Sequence, residues 1–412
     1  MEFVKEALKH GGRLNLVNNG VFKNYGVGNT TLESFNGKIY VSYRVGCYTF
    51  LSIRNKITYN AKTLWMPNLG EFPECTFGCT NVVGVLNKET LEVENQIEYF
   101  SDVNRGKNVY TGYEDIRLIN WNNKLYAIAS KPYAFENNKI PICIVELNNS
   151  LGIEKEMCYC INDIEKNWMP VEHQPMTFLY SSVNPTNVTV CDWNGNVYLK
   201  KKKETKENVF YKGSSQVREY KDHYVVLTHV NNNTICDDMN LYRYYHVFLI
   251  YDKEWNLVGK SNLFTFMGYS IEFSNGFLIE DDDVYITFSI YDNISFVVKT
   301  NTVFLDYIIG FGKKPNVLKE KKDIGINFPK NDKERFLLCE IIEKRENYNG
   351  AFALFTSIAA FTKDIKLAEK AYTKALLLLK KCKLGNKDNY ITMLLYEDRI
   401  IDQIIKINKE LE

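Results

Sequence analysis

Between about residue 12 and residue 310, short apolar runs rich in Tyr, Phe, Val and Ile alternate with Asn, Gly and Asp turns, and no helical period is sustained. One kind of strand keeps returning: a turn, then alternating apolar positions, then a polar residue at the far end. Its copies are Gly37 to Arg44, Lys124 to Lys131, Met176 to Ser182, Asp222 to His229 and Asp283 to Ser289. They recur about every 50 residues after a longer first interval, which is the spacing of propeller blades. That first interval holds Asn60 to Glu98, read as an inserted loop. A β-sandwich needs no such periodic return of one strand type, so the pattern predicts a mainly β fold, a five-bladed β-propeller. The five repeating strands are expected to be innermost, with their polar ends converging on one axial pocket.

The pattern then changes. Residues 1–315 are assigned to the propeller and 316–330 to a charged, Pro/Gly-punctuated linker. Residues 331–412 are assigned to a small α-helical domain, because apolar residues such as Ala368, Ala371, Tyr372, Ala375, Leu376 and Leu379 fall at helical spacing. Four helices are expected, separated at Asn347 to Gly350, Thr362 to Asp364 and Leu384 to Asn386. The run Ala368 to Leu379 resembles a tetratricopeptide-type helical hairpin. Such hairpins do not stand alone, so the helices are expected to pack through the Ala368/Tyr372/Leu376 face on the propeller, on a second copy or on a protein partner.

Composition narrows the function classes. With 45% hydrophobic and 25% charged residues and a net charge of +1, the chain has no electrostatic field that favours nucleic acid or an anionic membrane. The run Lys200 to Lys203 reads as a solvated hairpin tip. No apolar segment reaches the ~20 residues of a membrane span, and the N-terminus lacks a signal-peptide core, so a cytoplasmic location is expected. The ten cysteines are scattered (Cys47, Cys143, Cys191, Cys236, Cys339, Cys382) and read as reduced core residues. The close pairs Cys75/Cys79 and Cys158/Cys160 lack the two-pair spacing of a zinc site, so no metal and no bound cofactor are expected.

Candidate chemistry starts at Glu114-Asp115-Ile116-Arg117, two adjacent carboxylates and an arginine at a strand entrance. Adjacent acids in distinct surroundings can divide into a proton donor and a permanent anion; on spacing alone the same run is a surface acidic pair with an ion partner. Further on come Glu165-Lys166-Asn167-Trp168-Met169-Pro170, Gly213-Ser214-Ser215-Gln216, His229, Arg243-Tyr244-Tyr245-His246, Ile271-Glu272-Phe273 and Asp292. Without other information Trp168 reads as core and a lone histidine at a strand end as structural.

Taken together and in this order, these runs resemble the five-bladed β-propeller mannoside phosphorylase and β-mannosyltransferase group. That group has Glu-Asp-Pro-Arg where this chain has Glu114 to Arg117, Lys-Asn-Trp-x-Pro at Lys166 to Pro170, Gly-Ser-Ser at Gly213 to Ser215, a strand ending in His at His229, and Arg-Tyr-Tyr-x-His near Arg243 to His246. The resemblance implies that Asp115 is the catalytic acid and that Arg117 holds or orients it. Arg44, Glu114, Arg117, Lys166, Asn167, Ser214, Gln216, His229, Arg243, Tyr244, His246, Glu272 and Asp292 are then expected to bind sugar or phosphate. The departures are Ile116 for Pro, Val247 where Arg is common, and a stretch from Ser130 to Cys160 without the arginines that hold inorganic phosphate.

The expected function is inverting transfer of a hexose, mannose by the resemblance, between a sugar donor and a glycan acceptor. The missing arginines favour a glycosyltransferase using a nucleotide sugar or sugar-1-phosphate over a glycoside phosphorylase using phosphate, and hydrolysis ranks third. The competing reading is a non-catalytic glycan-binding propeller scaffold whose helices recruit a partner.

Overall fold

The computed structural model describes residues 1–22, 24–46, 49–54, 61–66, 79–98, 112–131, 139–160, 164–184, 187–201, 211–231, 243–317, 326–379 and 381–382. Five four-stranded antiparallel sheets form the blades of a propeller. Blade one is β2 (Gly26–Phe35), β3 (Lys38–Gly46), β6 (Cys79–Leu86) and β7 (Val93–Glu98), and blade two is β8 (Glu114–Trp121), β9 (Lys124–Ser130), β10 (Ile142–Leu147) and β11 (Ile153–Tyr159). Blade three is β12 (Met169–Pro170), β13 (Thr177–Asn184), β14 (Asn187–Asp192) and β15 (Val197–Lys201), and blade four is β16 (Lys212–Tyr220), β17 (His223–Asn231), β18 (Tyr244–Tyr251) and β19 (Leu257–Lys260). Blade five joins β20 (Glu272–Glu280), β21 (Asp283–Ile290) and β22 (Ile294–Asn301) to the N-terminal β1 (Arg13–Leu16). Pairing Arg13 with Lys299 through Leu16 with Phe296 closes the ring with both ends of the propeller sequence.

Local chemistry sets the hairpins. Asn36–Gly37, Asn122–Asn123 and Lys221–Asp222 each place two consecutive residues at positive φ, the I′-type turn that matches strand twist and that Asn, Asp and Gly tolerate.

The repeating strand of the sequence is the second strand of each blade, not the innermost. β3, β9, β13, β17 and β21 lie second in their sheets, while β2, β8, β12, β16 and β20 touch one another around the axis. The second strands look most like strands because apolar layers from neighbouring blades cover both their faces. The inner ones carry polar runs that meet across the axis. Gln216 shows why: wholly buried, its amide donates to the Leu118 carbonyl at 2.6 Å, the Leu32 carbonyl at 3.0 Å and the Thr31 hydroxyl at 3.2 Å, and its oxygen accepts from the Phe277 amide at 3.3 Å. One side chain from blade four thus satisfies inner strands of blades one, two and five.

The long first interval is also reassigned. β6 and β7, within the expected loop, are the outer strands of blade one; the insertion lies between β3 and β6 and carries the hairpin β4 (Thr49–Arg54) and β5 (Ala61–Met66). Among the cysteines, Cys143 and Cys158 stand opposite each other on β10 and β11 and form a disulfide, so for this pair the reduced reading is corrected. Directly opposed positions can be bridged even when widely separated in sequence, which spacing counts do not register. Cys47, Cys75, Cys236, Lys202 and Lys203 lie outside the described residues.

Five helices are described: α1 (Phe3–Lys9), α2 (Thr302–Ile309), α3 (Asp332–Lys344), α4 (Tyr348–Phe361) and α5 (Ile365–Leu379). Asn331 and Asn347 cap α3 and α4 by accepting from the Glu334 and Gly350 amides. Helix α4 is apolar on nearly every side, and a helix of that kind must be enclosed. It lies against the β4–β5 hairpin, between α3 and α5, and on the blade-five turn, where Asn347 donates to the Asn293 carbonyl at 2.6 Å and a Cβ on Gly350 would sit 2.5 Å from Ile294. Helix α5 turns Ala371, Tyr372, Ala375, Leu378 and Leu379 inward, with Ala368 and Leu376 at the edge of the stripe. The same apolar cluster runs from Phe266, Phe288 and Ile294 of the propeller into Phe336, Phe352, Phe355 and Ala375 of the helices. This packing does not establish a tetratricopeptide repeat, and the expected fourth helix lies outside the described residues. Because propeller and helices share that cluster, removal of residues 331–412 is expected to give insoluble protein on expression. A soluble, monomeric truncation would show that blade five does not need the helices.

Candidate active site at the blade entrances

The inner strands do not run straight into the axis. β2, β8, β16 and β20 all break register near their entrances, between Gly28 and Thr31, Glu114 and Arg117, Gly213 and Val217, and Phe273 and Gly276. Such bulges re-aim side chains. In blade two the bulge holds Asp115 at φ 54°, a left-handed conformation that Asp accepts better than most residues. Arg117 pins it: wholly buried, it donates to the Asp115 carbonyl at 2.7 Å, the Ser214 carbonyl at 2.7 Å, the Gly213 carbonyl at 3.2 Å and the Asn167 side-chain oxygen at 3.2 Å. Burial lowers its guanidinium to about 10 against the pull of the Asp115 charge, so it stays cationic at neutral pH. Arg117 therefore orients Asp115 through the backbone, and its expected contact with substrate is corrected: wholly buried, it gives four of its five N–H donors to protein acceptors.

The Asp115 carboxylate is met by Asn29, whose side-chain nitrogen donates to Oδ1 at 2.7 Å; Oδ2 has no hydrogen-bond partner among the described residues. Asn29 is itself buried, at φ 47°, and accepts from the Ser289 hydroxyl at 3.1 Å. No motif in the sequence points to Asn29.

Around this carboxylate the structure gathers four of the expected residues. Arg44 on β3 lies 3.4 Å from Glu114 and 3.6 Å from Asp292, bridging blades two and five, and Lys166 lies 3.2 Å from the other Glu114 oxygen. Partial burial works to lower the Lys166 ammonium, but the Glu114 and Asp115 charges outweigh it and hold it above the ordinary range. Asp292 occupies a tight turn with Tyr291, both at positive φ. The turn presses on β2 so closely that a Cβ on Gly28 would lie 2.1 Å from the Asp292 carbonyl oxygen, which is why that position is glycine. Asn167, also left-handed, positions the start of blade three through Arg117.

Other expected residues stand elsewhere. His229 is buried behind the bulge, hydrogen-bonded through Nδ1 to the Ser214 hydroxyl at 2.8 Å, and burial holds it well below the ordinary histidine range. His246 is enclosed near Phe264 and Phe266 and pushed down to about 3. Both are neutral near pH 7, so neither supplies the expected cationic anion contact. Ser214 and Gln216 serve the inner-strand network, and Tyr244 stacks near His229 and Phe273. Arg243 lies farther out, where blade five meets the helices. Trp168 is core, packed on Phe178 and donating to Glu165 at 2.9 Å.

Glu272 is likewise corrected. It is fully buried, and its two oxygens accept from the amides of Phe266, Met267 and Tyr269 at 2.6 to 2.9 Å, so it anchors a loop in place of gripping a sugar. Burial raises its carboxyl from the ordinary 4.5 to about 7, against those three amides. The folded state then binds this proton more tightly than the unfolded chain, so its contribution is full below about 4.5 and is lost as pH rises through about 7. Urea unfolding at pH 5, 6 and 7 should show stability falling over that window, with a smaller fall in Glu272→Gln. An equal fall in the variant would remove Glu272 as the cause.

The sequence matches no known protein-family model and no curated protein. Among solved structures, the chain is similar to a β-1,2-mannobiose phosphorylase from Listeria innocua, at 9% identity over 72% of this chain and 99% of that one, with a TM-score of 0.46. It is similar to a mannose phosphorylase from Leishmania mexicana in complex with phosphate ion, at 10% identity over 80% and 97%, TM-score 0.45. A GDP-Man-dependent mannosyltransferase from the same organism gives 9% identity over 76% and 94%, TM-score 0.43. The chain is a five-bladed propeller, and its motifs resemble those of the mannoside phosphorylase and mannosyltransferase group.

Proposed function

We propose that the chain is a sugar-transfer enzyme that moves a hexose from an activated donor to a glycan acceptor, with Asp115 as the acid/base. The observation that carries this reading is the convergence of Asp115, Glu114, Asp292, Arg44 and Lys166 from three blades and the segment before a fourth, with no partner on Asp115 Oδ2 among the described residues. One carboxylate to take the proton of the acceptor hydroxyl as its oxygen bonds to the sugar's anomeric carbon, flanking carboxylates to accept sugar hydroxyls, and cations to hold the phosphate or nucleotide that departs as the donor's C–O bond breaks are the parts that inverting transfer needs. Glu114 accepts from Lys166 and pairs with Arg44, so it also fixes their positions. Donor binding to Arg44 and Lys166 loosens their hold on Glu114 and Asp292, which frees those carboxylates for hydroxyl groups. With Arg44 and Lys166 as its cations, the site suits a sugar-1-phosphate or nucleotide sugar better than free phosphate, and mannose is the sugar that the motif resemblance implies.

The test is a screen of hexose 1-phosphates and nucleotide sugars, each with mono- and oligosaccharide acceptors, followed by ³¹P NMR for the released phosphate or nucleotide. Turnover with at least one pair is expected. Oligosaccharide binding with no turnover across the screen would favour the scaffold reading, in which the same carboxylates bind glycan without acting on it.

A further inference from the structure

We propose that the cavity at the seam between blade five and helices α3 and α4 is a second anion site, one that takes a phosphate group. The cavity, about 100 Å³, is lined by Arg243, Tyr269 and Ser270 of the propeller and by Asp332, Arg335 and Ser357 of the helices. The Arg243 and Arg335 guanidiniums line it together with the Asp332 carboxylate, and Arg243 also lies within electrostatic reach of the buried Glu272. The Asp332 carboxylate holds Arg335 only loosely, at 3.6 Å, and Asp332 is 39% exposed, free to turn toward water when an anion enters. Arg335 is itself steadied over the Tyr269 ring at 5.2 Å, which orients a planar donor without consuming its N–H groups.

The independent sign of a missing ligand is the Tyr269 hydroxyl. The residue is 4% exposed, it lines the cavity, and its hydroxyl has no hydrogen-bond partner among the described residues. A buried hydroxyl left unpaired is costly, and a phosphate oxygen would satisfy it. Alongside, Ser270, Tyr291 and Ser357 form a chain of hydroxyls at 3.1 and 2.8 Å that can turn a proton toward an incoming oxygen. The volume admits a phosphate group, and a sugar or nucleoside attached to it would extend through the open side of the cavity. Tyr291 is the neighbour of Asp292, which ties this seam to the blade entrances by one turn of chain. The site is formed only when the helices are docked, which gives them a role in ligand binding beyond covering the core.

The assignment does not depend on catalysis, so it is tested by binding alone. Isothermal titration of the full chain with inorganic phosphate, and separately with a hexose 1-phosphate, is run in a Lys166→Ala background, which removes the blade-entrance cation, and is expected still to give binding. It should weaken roughly tenfold or more in Arg335→Gln and several-fold in Tyr269→Phe, as loss of one charge-assisted or buried hydrogen bond requires. Arg243→Gln serves as a second variant should Arg335→Gln lower the melting temperature. Tighter binding of the ester than of inorganic phosphate would name a phosphorylated sugar as the source; equal affinities would name the phosphate group alone. The proposal is overturned if the wild type does not bind phosphate, if both arginine variants bind it unchanged, or if Lys166→Ala abolishes binding, which would place the anion at the blade entrances.

Discussion

Replacing Asp115 by Asn is expected to reduce transfer by about 10²- to 10⁴-fold, the usual contribution of a positioned general acid or base, with little change in melting temperature. The substitution keeps the shape of the side chain and its tolerance of the left-handed bulge, and Asn29 can rotate its amide to present an oxygen in place of its nitrogen. What is lost is the carboxylate oxygen, Oδ2, that exchanges a proton with the reacting sugar oxygen. The KM for the donor should stay within a few-fold, because Arg44, Lys166 and Asp292 are untouched. Unchanged turnover in the variant would remove Asp115 from the chemistry and leave the convergence of charges as a binding site.

The second large effect is expected at Arg117, which carries no chemistry of its own. Arg117→Met retains bulk but leaves the carbonyls of Asp115, Gly213 and Ser214 and the Asn167 oxygen without their donor in a buried setting. Each orphaned acceptor costs about 1–3 kcal/mol, and as some recover water or other partners, a total loss of roughly 3–5 kcal/mol of unfolding free energy is expected. Activity should fall together with stability even at temperatures where the variant is folded, since the bulges of blades two and four and the entrance of blade three share this one side chain. Denaturation midpoints and turnover measured on the same preparation check both. A stable variant with normal turnover would show that the bulges hold their shape unaided.

The blade count was legible because strands covered on both faces announce themselves as apolar runs of fixed spacing, as in Lys124 to Ala129 or Asp283 to Ser289. Their depth in the blade was not. The innermost strands bury polar groups against one another across the axis, so Gly213-Ser214-Ser215-Gln216 and Ser274-Asn275-Gly276 look like loops until the ring is closed. The same blindness hid Asn29. Charged residues at blade entrances pair across blades, as with Arg44, Glu114, Lys166 and Asp292. The sequence could not separate them from Glu272, Arg117, His229 and His246, because a motif position does not tell whether a polar group faces solvent or is spent on backbone amides and carbonyls. The Cys143–Cys158 disulfide was equally invisible, since it rests on strand register alone.

The most direct test of the account is a crystal structure of Asp115→Asn with a glycan product of the reaction bound. The expected result places a sugar at the blade entrances, with its glycosidic oxygen within hydrogen-bond distance of residue 115 and its hydroxyls on Glu114 and Asp292. A glycan bound elsewhere on the propeller, with residue 115 still turned only toward Asn29, would contradict it.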